Sequence, residues 1–323
     1  MQVLGGTGGI HLPGCGLWLD PSRKKPLAAV SHAHSDHALW HHETIATPAT
    51  AALMRARLGT RRGQVRETGY GCPHPFPGGT LTLLPAGHIL GSAQVRVETG
   101  EGSLLYTGDF KLRPGLTSEN AVATRADTLI LETTFGRPDY RFPPVEEVRE
   151  AMVAFCRRAL EEGATPVLLA YSLGKGQEVL ALLAGTGLPV ALHPATARIT
   201  RVYESFGISF APYQVDEPAG SHPGSVLLYP PGAQLPPLPR LRQAIVSGWA
   251  LNPRARYQYR CEEAFPLSDH ADYDELLRHV EAVQPRRVYT VHGSTEAFAC
   301  DLRRRGVEAW ALGGQNQLEL RLA

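Results

Sequence analysis

Short apolar runs bounded by glycine, proline and threonine predict a series of strands in the first part of the chain. The residues between Pro48 and Leu58 predict one helix among them. Several runs end in a histidine or an acidic residue, so polar side chains are expected to cluster at strand ends. The predicted strands are Leu27–Val30, Leu81–Leu84, Ala93–Val97, Leu104–Tyr106 and Thr128–Leu131.

From about Val145 onwards, helices and strands alternate. The segment Val145–Glu162 has apolar residues at helical spacing and predicts an amphipathic helix. Alternation of this kind indicates a parallel sheet with right-handed crossovers. The stretch from Pro212 to Pro239 is rich in proline and glycine and is expected to be mostly loop. The other elements predicted here are strands Val167–Ala170, Val190–Leu192, Val226–Tyr229 and Ala244–Ser247, and helices Gly176–Leu183 and Ala195–Phe206.

After Phe265 the pattern of the first part returns. We therefore interpret the middle region as a second domain inserted into the first. The expected boundaries assign residues 1–140 and 264–323 to the outer domain and residues 141–263 to the inserted one. The elements predicted in the last part are helix Tyr273–Val283, strand Arg287–Val291, helix Glu296–Arg305 and strand Glu308–Leu312.

Composition narrows the class of protein. Of the 323 residues, 43% are hydrophobic and 20% are charged, which is typical of a globular chain. Lys plus Arg is 32 and Asp plus Glu is 31, a net charge of +1 that excludes a uniformly basic coat but permits a local basic groove. The 5 cysteines are scattered and lack a CxxC pair, which favours a reducing cytoplasm. No apolar run reaches about 18 residues, so no membrane segment is expected.

The segment Ser31–His37 reads Ser-His-Ala-His-Ser-Asp-His and follows a predicted strand. Alternate residues of an extended chain point the same way, so His32 and His34 can bind one metal ion. Asp36 and His37 can face a second ion. Imidazole nitrogen together with carboxylate oxygen suits Zn²⁺, Mn²⁺ or Fe²⁺ far better than Ca²⁺. A solvated polar turn is the alternative, but three histidines and an aspartate in so short a segment favour the metal site.

Three other residues at strand exits beside glycine are candidate ligands. His88 lies in Ala-Gly-His-Ile, Asp109 in Thr-Gly-Asp-Phe and His292 in Val-His-Gly-Ser. A carboxylate can bridge two cations, so Asp109 is the natural bridging ligand. Taken singly, His88 or His292 could equally be a hydrogen-bonded histidine at a strand end.

The whole series of motifs resembles a known family. His-x-His-x-Asp-His, a strand-end histidine and Thr-Gly-Asp resemble the metallo-β-lactamase fold, an αββα sandwich with metals at its sheet edges. Glu132 in Leu-Glu-Thr-Thr-Phe-Gly, His270 in Leu-Ser-Asp-His-Ala-Asp and His292 resemble the three motifs of the β-CASP nucleases. The resemblance spans nearly the whole chain. It implies an α/β fold of the α+β kind, with a β-CASP α/β domain inserted in the sandwich.

Three segments resemble the bacterial DNA-ligase-associated exonuclease group most closely, namely Ala-Tyr-Ser-Leu-Gly-Lys-Gly-Gln-Glu, Val-Ser-Gly-Trp-Ala and Leu-Ser-Asp-His-Ala-Asp. The resemblance implies a metal-dependent DNA exonuclease in DNA repair, working 5′ to 3′ on single strands or DNA ends, with a DNA ligase and a helicase as possible partners. An RNA-processing enzyme like ribonuclease J is the alternative in the same class. A small-molecule ester hydrolase of the same fold and a non-enzymatic binding module are alternatives in other classes.

The resemblance also assigns roles to residues. It implies two divalent metal ions, zinc or manganese, and hydrolysis by a two-metal mechanism. His270 is the candidate general acid, or it steadies the phosphate; a helix-start residue bonded locally is its alternative. Asp36 and Glu132 are grouped with it at the catalytic centre, while Asp20 and Glu132 are expected to support the ligand imidazoles. The implied ligands are His32, His34, His88 and Asp109 for one ion and Asp36, His37, Asp109 and His292 for the other.

Phosphate contacts are expected where a strand enters a helix. Ser172, Gly174 and Lys175 follow such a strand, and Ser294 follows His292. The alternative is an ordinary glycine-rich turn, and the spacing of an ATP-binding Walker A loop is absent. The runs Arg55–Arg66 and Arg240–Arg260, the second with Tyr257 and Tyr259, could contact nucleic acid or could be solvated arginine faces.

Overall fold

The computed structural model describes residues 1–6, 8–59, 63–216 and 224–313, which divide into two compact units. The first unit is Met1–Pro114, Glu119–Arg141 and His270–Ala323, and the second is Gly115–Ser118 and Phe142–Asp269. The second unit thus extends to Asp269, beyond the expected end of the inserted domain at residue 263. The reason is that Glu263–Phe265 forms a strand paired with the sheet of the second unit.

The first unit contains a six-stranded sheet at its N-terminal end. Its strands follow the chain order β1-β2-β3-β4-β5-β6, with the first three antiparallel and the last four parallel. Helix α1 (Pro48–Leu58) connects β5 to β6, and the Oγ1 atom of Thr47 caps it by accepting the backbone N–H of Thr50 at 3.1 Å. The strands are β1 (Leu4–Gly6), β2 (Gly9–Leu12), β3 (Leu17–Leu19), β4 (Leu27–Ala29), β5 (Glu43–Ala46) and β6 (Gln64–Glu67).

A second, seven-stranded sheet in the same unit collects strands from distant parts of the chain. They are β7 (His74–Phe76), β8 (Gly79–Pro85), β9 (Ala93–Thr99), β10 (Gly102–Tyr106), β11 (Thr128–Thr133), β18 (Arg287–Gly293) and β19 (Ala309–Ala311). Their order is β19-β18-β11-β10-β9-β8-β7. Strands β10, β11, β18 and β19 run parallel, so the segments that leave them can meet at one edge.

Alternation along β11 shows how the layers pack. Ile130 belongs to the core shared by the two sheets, whereas Leu129 and Leu131 belong to the core beneath two helices. These helices are α6 (Tyr273–Val283) and α7 (Thr295–Arg304), which supply Leu276, Val280, Phe298 and Leu302 to that core. The predicted α/β sandwich is confirmed.

The second unit is built on a parallel sheet, as the strand–helix alternation predicts. Its order is β14-β13-β15-β12-β16-β17, and every pair in it is parallel. None of the helices in the described ranges is long and apolar enough to cross a membrane. The strands are β12 (Thr165–Leu169), β13 (Val190–Leu192), β14 (Gln214–Val215), β15 (Val226–Tyr229), β16 (Leu241–Val246) and β17 (Glu263–Phe265). The helices are α2 (Val145–Glu161), α3 (Lys175–Leu182), α4 (Pro194–Ser205) and α5 (Ala255–Gln258), with a 3₁₀ turn at Gly248–Leu251.

His279 on α6 makes the stability of the fold depend on pH. Its imidazole is fully buried against the ring of Phe110, and within the described part of the chain neither ring nitrogen has a hydrogen-bond partner. Burial lowers the pKa of His279 to about 4. Between the ordinary pKa of histidine and about pH 4, the unfolded chain binds a proton at His279 and the folded chain does not. The free energy of unfolding therefore falls as the pH falls through that interval.

We expect the His279→Leu substitution to flatten this dependence. Between about pH 7.5 and about pH 5, the wild type should lose about 2 kcal/mol of unfolding free energy that the variant retains. Urea unfolding in a chelator at both pH values measures the difference without a contribution from metal release. A constant offset between wild type and variant at both pH values would contradict the assignment.

Candidate metal centre

Residues from four strand ends of the first unit converge. His32 follows β4, His88 follows β8, Asp109 follows β10, and His292 lies near the end of β18. Strands β8, β10 and β18 run in one direction in the seven-stranded sheet, so their ends lie at one edge of it, and β4 of the six-stranded sheet brings His32 to the same place. The positions of His32, His88 and Asp109 are buried, whereas His292 is exposed.

The first group of ligand atoms belongs to His32, His34, His88 and Asp109, which all lie within 4.8 Å of one another. The Nε2 atom of His88 is 3.0 Å from the Nδ1 atom of His34. The Nε2 atom of His32 is 3.5 Å from the Oδ2 atom of Asp109, yet it is buried and has no hydrogen-bond partner among the residues that the structure describes. A bound cation would satisfy this nitrogen, so the donor set fits a transition metal such as zinc.

The second group belongs to His37, Asp109 and His292. The Nε2 atom of His37 is 3.4 Å from the Oδ2 atom of Asp109, the same oxygen that the first group faces. Asp36 is more exposed, and its Oδ2 atom is 3.7 Å from the Nε2 atom of His37. A cavity beside these residues is lined by Asp36, His37 and His292. One carboxylate oxygen therefore lies between two groups of donors, the position that a bridging ligand needs.

Electrostatics differ between the two groups. Burial, together with the neighbouring histidines His37 and His88, lowers the pKa of His32 well below its usual range. This keeps the imidazole neutral, which is the form that binds metal. Burial also acts to lower the pKa of His37, but the carboxylates of Asp109 and Asp20 outweigh it and raise that pKa to about 10. A field that holds a proton so firmly would also favour a divalent cation in its place.

Asp20 is the main support of the histidine motif. Its Oδ2 atom is 2.8 Å from the Nδ1 atom of His37 and accepts the hydroxyls of Tyr106, at 2.9 Å, and Ser31. Its Oδ1 atom accepts the backbone N–H of Ser31 at 2.7 Å. A carboxylate on the far nitrogen of a ligand imidazole sets its tautomer and orientation. Sequence analysis missed Tyr106 and Ser31 because neither has a distinctive motif; the Ser31 hydroxyl also lies 3.0 Å from the Nδ1 atom of His32.

Glu132 and His270 form a second supported pair. The Oε1 atom of Glu132 is 3.1 Å from the Nδ1 atom of His270 and accepts the backbone N–H of Phe110 at 3.1 Å. Burial acts to raise the pKa of Glu132, but His270 and the hydrogen bonds of Thr134 and Phe110 outweigh it, so the pKa is lowered. The ionised carboxylate accepts hydrogen bonds only, so the Nδ1 atom of His270 carries the proton. Ligand atoms of Asp109, Glu132 and His270 lie within 4.8 Å of one another.

Arg113 holds the segment that carries His270, a contact that sequence analysis missed. Its Nη2 atom donates to the carbonyl of His270 at 2.9 Å. Its Nη1 atom lies 3.0 Å from Asp272 and 2.6 Å from Glu275, the two residues that cap helix α6. The guanidinium therefore connects the loop after Asp109 with the loop around His270.

Two glycines permit the close approach of these loops. A Cβ atom on Gly108, which has a φ of 54°, would lie 2.7 Å from the side chain of Ser31. A Cβ atom on Gly293, next to His292, would lie 2.5 Å from the Cα atom of Thr134. Only glycine fits at either position. His292 itself has a φ of 57° and Asp20 a φ of 42°, so left-handed backbone occurs at two residues of the centre.

Comparisons with known proteins agree with this geometry. Residues 256–312 match the family described as "Zn-dependent metallo-hydrolase RNA specificity domain". A protein of Opitutus terrae named "Probable DNA ligase" is 49% identical over 324 aligned residues, which cover 97% of this chain and 31% of that protein. A chicken protein named "5' exonuclease Apollo" is 31% identical over 182 residues, which cover 54% of this chain and 39% of that protein.

These matches support a β-CASP nuclease of the metallo-β-lactamase fold. The chain spans about a third of the length of the Opitutus relative and less than half of the chicken one. A crystal structure of an Enterococcus faecalis protein of unknown function matches with a TM-score of 0.58 at 13% identity, covering 90% of this chain and 80% of that one. That match concerns the fold alone.

Two of the residues expected to contact phosphate, Gly174 and Lys175, form contacts with protein groups. Lys175 is only 3% exposed, and its Nζ atom lies 2.9 Å from a carboxylate oxygen of Asp269 and 2.9 Å from the carbonyl of Leu267. The backbone N–H of Gly174 donates to Gln177 at 2.8 Å. These contacts engage the ammonium and the loop N–H inside the second unit. Ser172 and Ser294 are partly exposed, and their part in phosphate binding stays a prediction.

Three arginines of the first arginine run are also engaged by protein groups. Arg55 pairs with Glu67, Arg66 lies 2.5 Å from Glu43, and Arg57 donates to the carbonyl of Ala33 inside the histidine motif. Arg61 and Arg62 lie outside the described residues. In the second run, Arg242 lies 2.7 Å from both Glu162 and Glu262, and Arg240 donates to the carbonyl of Glu162 at 2.8 Å.

We expect the Asp20→Asn substitution to weaken metal binding by about 10- to 100-fold, because the amide cannot support the imidazole of His37 as a carboxylate does. Competition with a chromogenic zinc chelator measures the affinity. Asp127→Asn is the matched control, since Asp127 also accepts a backbone N–H and a hydroxyl, both from Ser103 at 2.9 Å, away from the centre. Equal affinities in the Asp20 variant and the wild type would contradict the supporting role.

Proposed function

We propose that the chain is a DNA exonuclease that hydrolyses phosphodiester bonds 5′ to 3′ in DNA repair, with two divalent ions, zinc or manganese. The observation that carries the proposal is the Oδ2 atom of Asp109, which lies within 4.0 Å of the Nε2 atoms of three histidines drawn from both ligand groups. Two cations close together can clamp a phosphodiester between them. The name of the Opitutus relative supports DNA as the substrate, and the name of the chicken relative supports exonuclease action from a 5′ end.

The ion positions follow from the two groups of donors. His32, His34, His88 and Asp109 would hold one ion; His37, Asp109, His292 and the more exposed Asp36 would hold the other. When bound, such ions activate water near neutral pH and offset the negative charge that develops on phosphate. The chain's own part is to hold the neutral imidazole of His32 and the carboxylate of Asp109 in place.

His270 is the proposed proton donor to the leaving oxygen. The carboxylate of Glu132 accepts a hydrogen bond from its Nδ1 atom at 3.1 Å and so sets the plane of the ring. Arg113 holds the backbone at the same residue through its 2.9 Å bond to the carbonyl. A fixed imidazole can both orient a phosphate oxygen and transfer a proton to it near neutral pH.

RNA is a second candidate substrate. The family description that matches residues 256–312 names RNA specificity, and the ligand groups do not depend on which sugar the phosphates join. A DNA ligase is the proposed partner, because the Opitutus relative named as a ligase contains a region alignable with 97% of this chain. A helicase partner and a cytoplasmic location stay predictions from the sequence.

We expect the metal-loaded chain to release mononucleotides from single-stranded DNA, and the Asp109→Ala variant to release none. Strands labelled at either end distinguish 5′ to 3′ from 3′ to 5′ degradation, and matched RNA strands are tested beside them. Preference for RNA would transfer the proposal to the RNA-processing alternative. If both polymers remain intact while metal is bound, the nuclease proposal is wrong, and small-molecule esters become the substrates to test.

We expect the His270→Ala substitution to lower kcat by about 10²- to 10⁴-fold while metal content is kept. Turnover on labelled DNA and metal content by atomic absorption are measured on the same preparation. The exposed His42→Ala change is the control, since it removes an imidazole from the same unit without touching the ligand groups. Unchanged turnover, or a loss of metal that accounts for the loss of rate, would overturn the proton-donor role.

A further inference from the structure

Three of the exposed large aromatic side chains of the second unit lie in neighbouring segments of its fold. Tyr171 is 51% exposed, Trp249 is 43% exposed and Tyr257 is 69% exposed. Exposed aromatic rings cost hydration free energy, so a group of them indicates a binding surface more often than a single one does. We call these three residues the aromatic platform.

The platform lies at one edge of the parallel sheet. Tyr171 comes just after β12, and Trp249 comes just after β16, the neighbouring strand, with Leu169 of β12 paired to Ile245 of β16. Burial and the neighbouring Tyr259 raise the pKa of Tyr171, so Tyr171 lies near the residue that directly follows helix α5, the helix that carries Tyr257. The three aromatic residues therefore belong to connected segments at the carboxyl ends of two adjacent strands.

The sheet topology marks this edge as a place for ligands. From β12 the chain crosses through α3 to β13 on one side, whereas from β16 it continues to β17 on the other side. Successive connections thus diverge between β12 and β16. In open parallel sheets, ligands bind in the crevice outside the carboxyl ends of strands at such a switch point.

The chain segment that carries Trp249 and Tyr257 has only positive charges. From Gly224 to Cys261 the chain has no acidic residue and has arginines at five positions. Arg254, Arg256 and Arg260 are exposed, and within the described part of the chain none of them forms an ion pair with a carboxylate. The guanidinium of Arg256 lies 4.8 Å from the ring centroid of Tyr257 and donates to its hydroxyl at 2.9 Å.

We propose that the aromatic platform, with Arg254, Arg256 and Arg260, binds a single-stranded segment of nucleic acid. Bases stack on the exposed rings, and the guanidinium groups contact the phosphates that join them. A duplex does not fit this chemistry, because its paired bases hide their faces. The inference rests on the proposed function for its choice of DNA, since stacking and phosphate contacts serve RNA equally well.

The test measures binding of a short phosphorothioate-linked DNA strand, which resists hydrolysis, to the metal-loaded full chain by fluorescence anisotropy. We expect Tyr257→Ala and Trp249→Ala each to weaken binding about tenfold, whereas Tyr257→Phe keeps the ring and binds like wild type. Phe206→Ala is the control. Phe206 is 41% exposed but follows helix α4, at the edge where the strands begin, so its loss should leave binding unchanged.

Two further measurements separate stacking and charge. Abasic sites in the strand should weaken its binding to the wild type. They should cause no further loss of affinity in Tyr257→Ala, since the missing base and the missing ring remove the same contact. Arg254→Gln should reduce the slope of log affinity against log salt by about 0.7. The proposal would be wrong if the two aromatic variants bound with wild-type affinity. It would also be wrong if the loss from abasic sites added in full to the loss from Tyr257→Ala.

The outcomes also separate this inference from the proposed function. A small chromogenic phosphodiester has no nucleobase to stack on the platform, so the aromatic variants should hydrolyse it at the wild-type rate. If binding falls but no nucleic acid is ever hydrolysed, the platform stands and the nuclease proposal fails. If DNA is hydrolysed while the variants bind it normally, the platform fails alone. Equal losses on matched RNA would show that the platform does not select the sugar.

Discussion

The buried carboxylate of Asp109 is the group around which the metal centre of the first unit is arranged. Its Oδ2 atom lies within 4.0 Å of the Nε2 atoms of His32, His37 and His88. A buried carboxylate is costly unless cations or hydrogen bonds neutralise it, and the neutral imidazole of His32 brings no charge. The surroundings of this carboxylate therefore suit cations. The site forms only because the loop of Asp109 passes close to Ser31 at Gly108.

Two further buried carboxylates near that centre are also neutralised by neighbouring groups. Asp20 and Glu132 are buried carboxylates, and each accepts a backbone N–H while also lying beside an imidazole. Arg113 extends the pattern by joining the capping residues of α6 to the segment of His270. The ligand imidazoles and His270 are therefore held by a network of hydrogen bonds and ion pairs that joins distant segments of the first unit. This network fixes the positions of the imidazoles relative to one another.

The two units carry different chemistry. The first concentrates histidine and aspartate at strand ends, whereas the second presents arginine and aromatic residues at the carboxyl edge of a parallel sheet. Composition could not distinguish the basic residues that contact protein groups from those that are exposed. Lys175 and Arg242 are engaged by carboxylates within the second unit, while Arg254 and Arg256 are exposed.

By itself, the sequence determined the helices Pro48–Leu58 and Tyr273–Val283, the parallel sheet of the second unit and the ligand types, because periodicity and strand-end motifs are local signals. Only the tertiary structure decided which residues meet. Strands β1 to β3 are short, and they form through pairing with one another, which no local pattern announces. The burial of Lys175 and the support from Tyr106 and Arg113 depend on contacts between residues far apart in the chain, where local propensity carries no information about the partner.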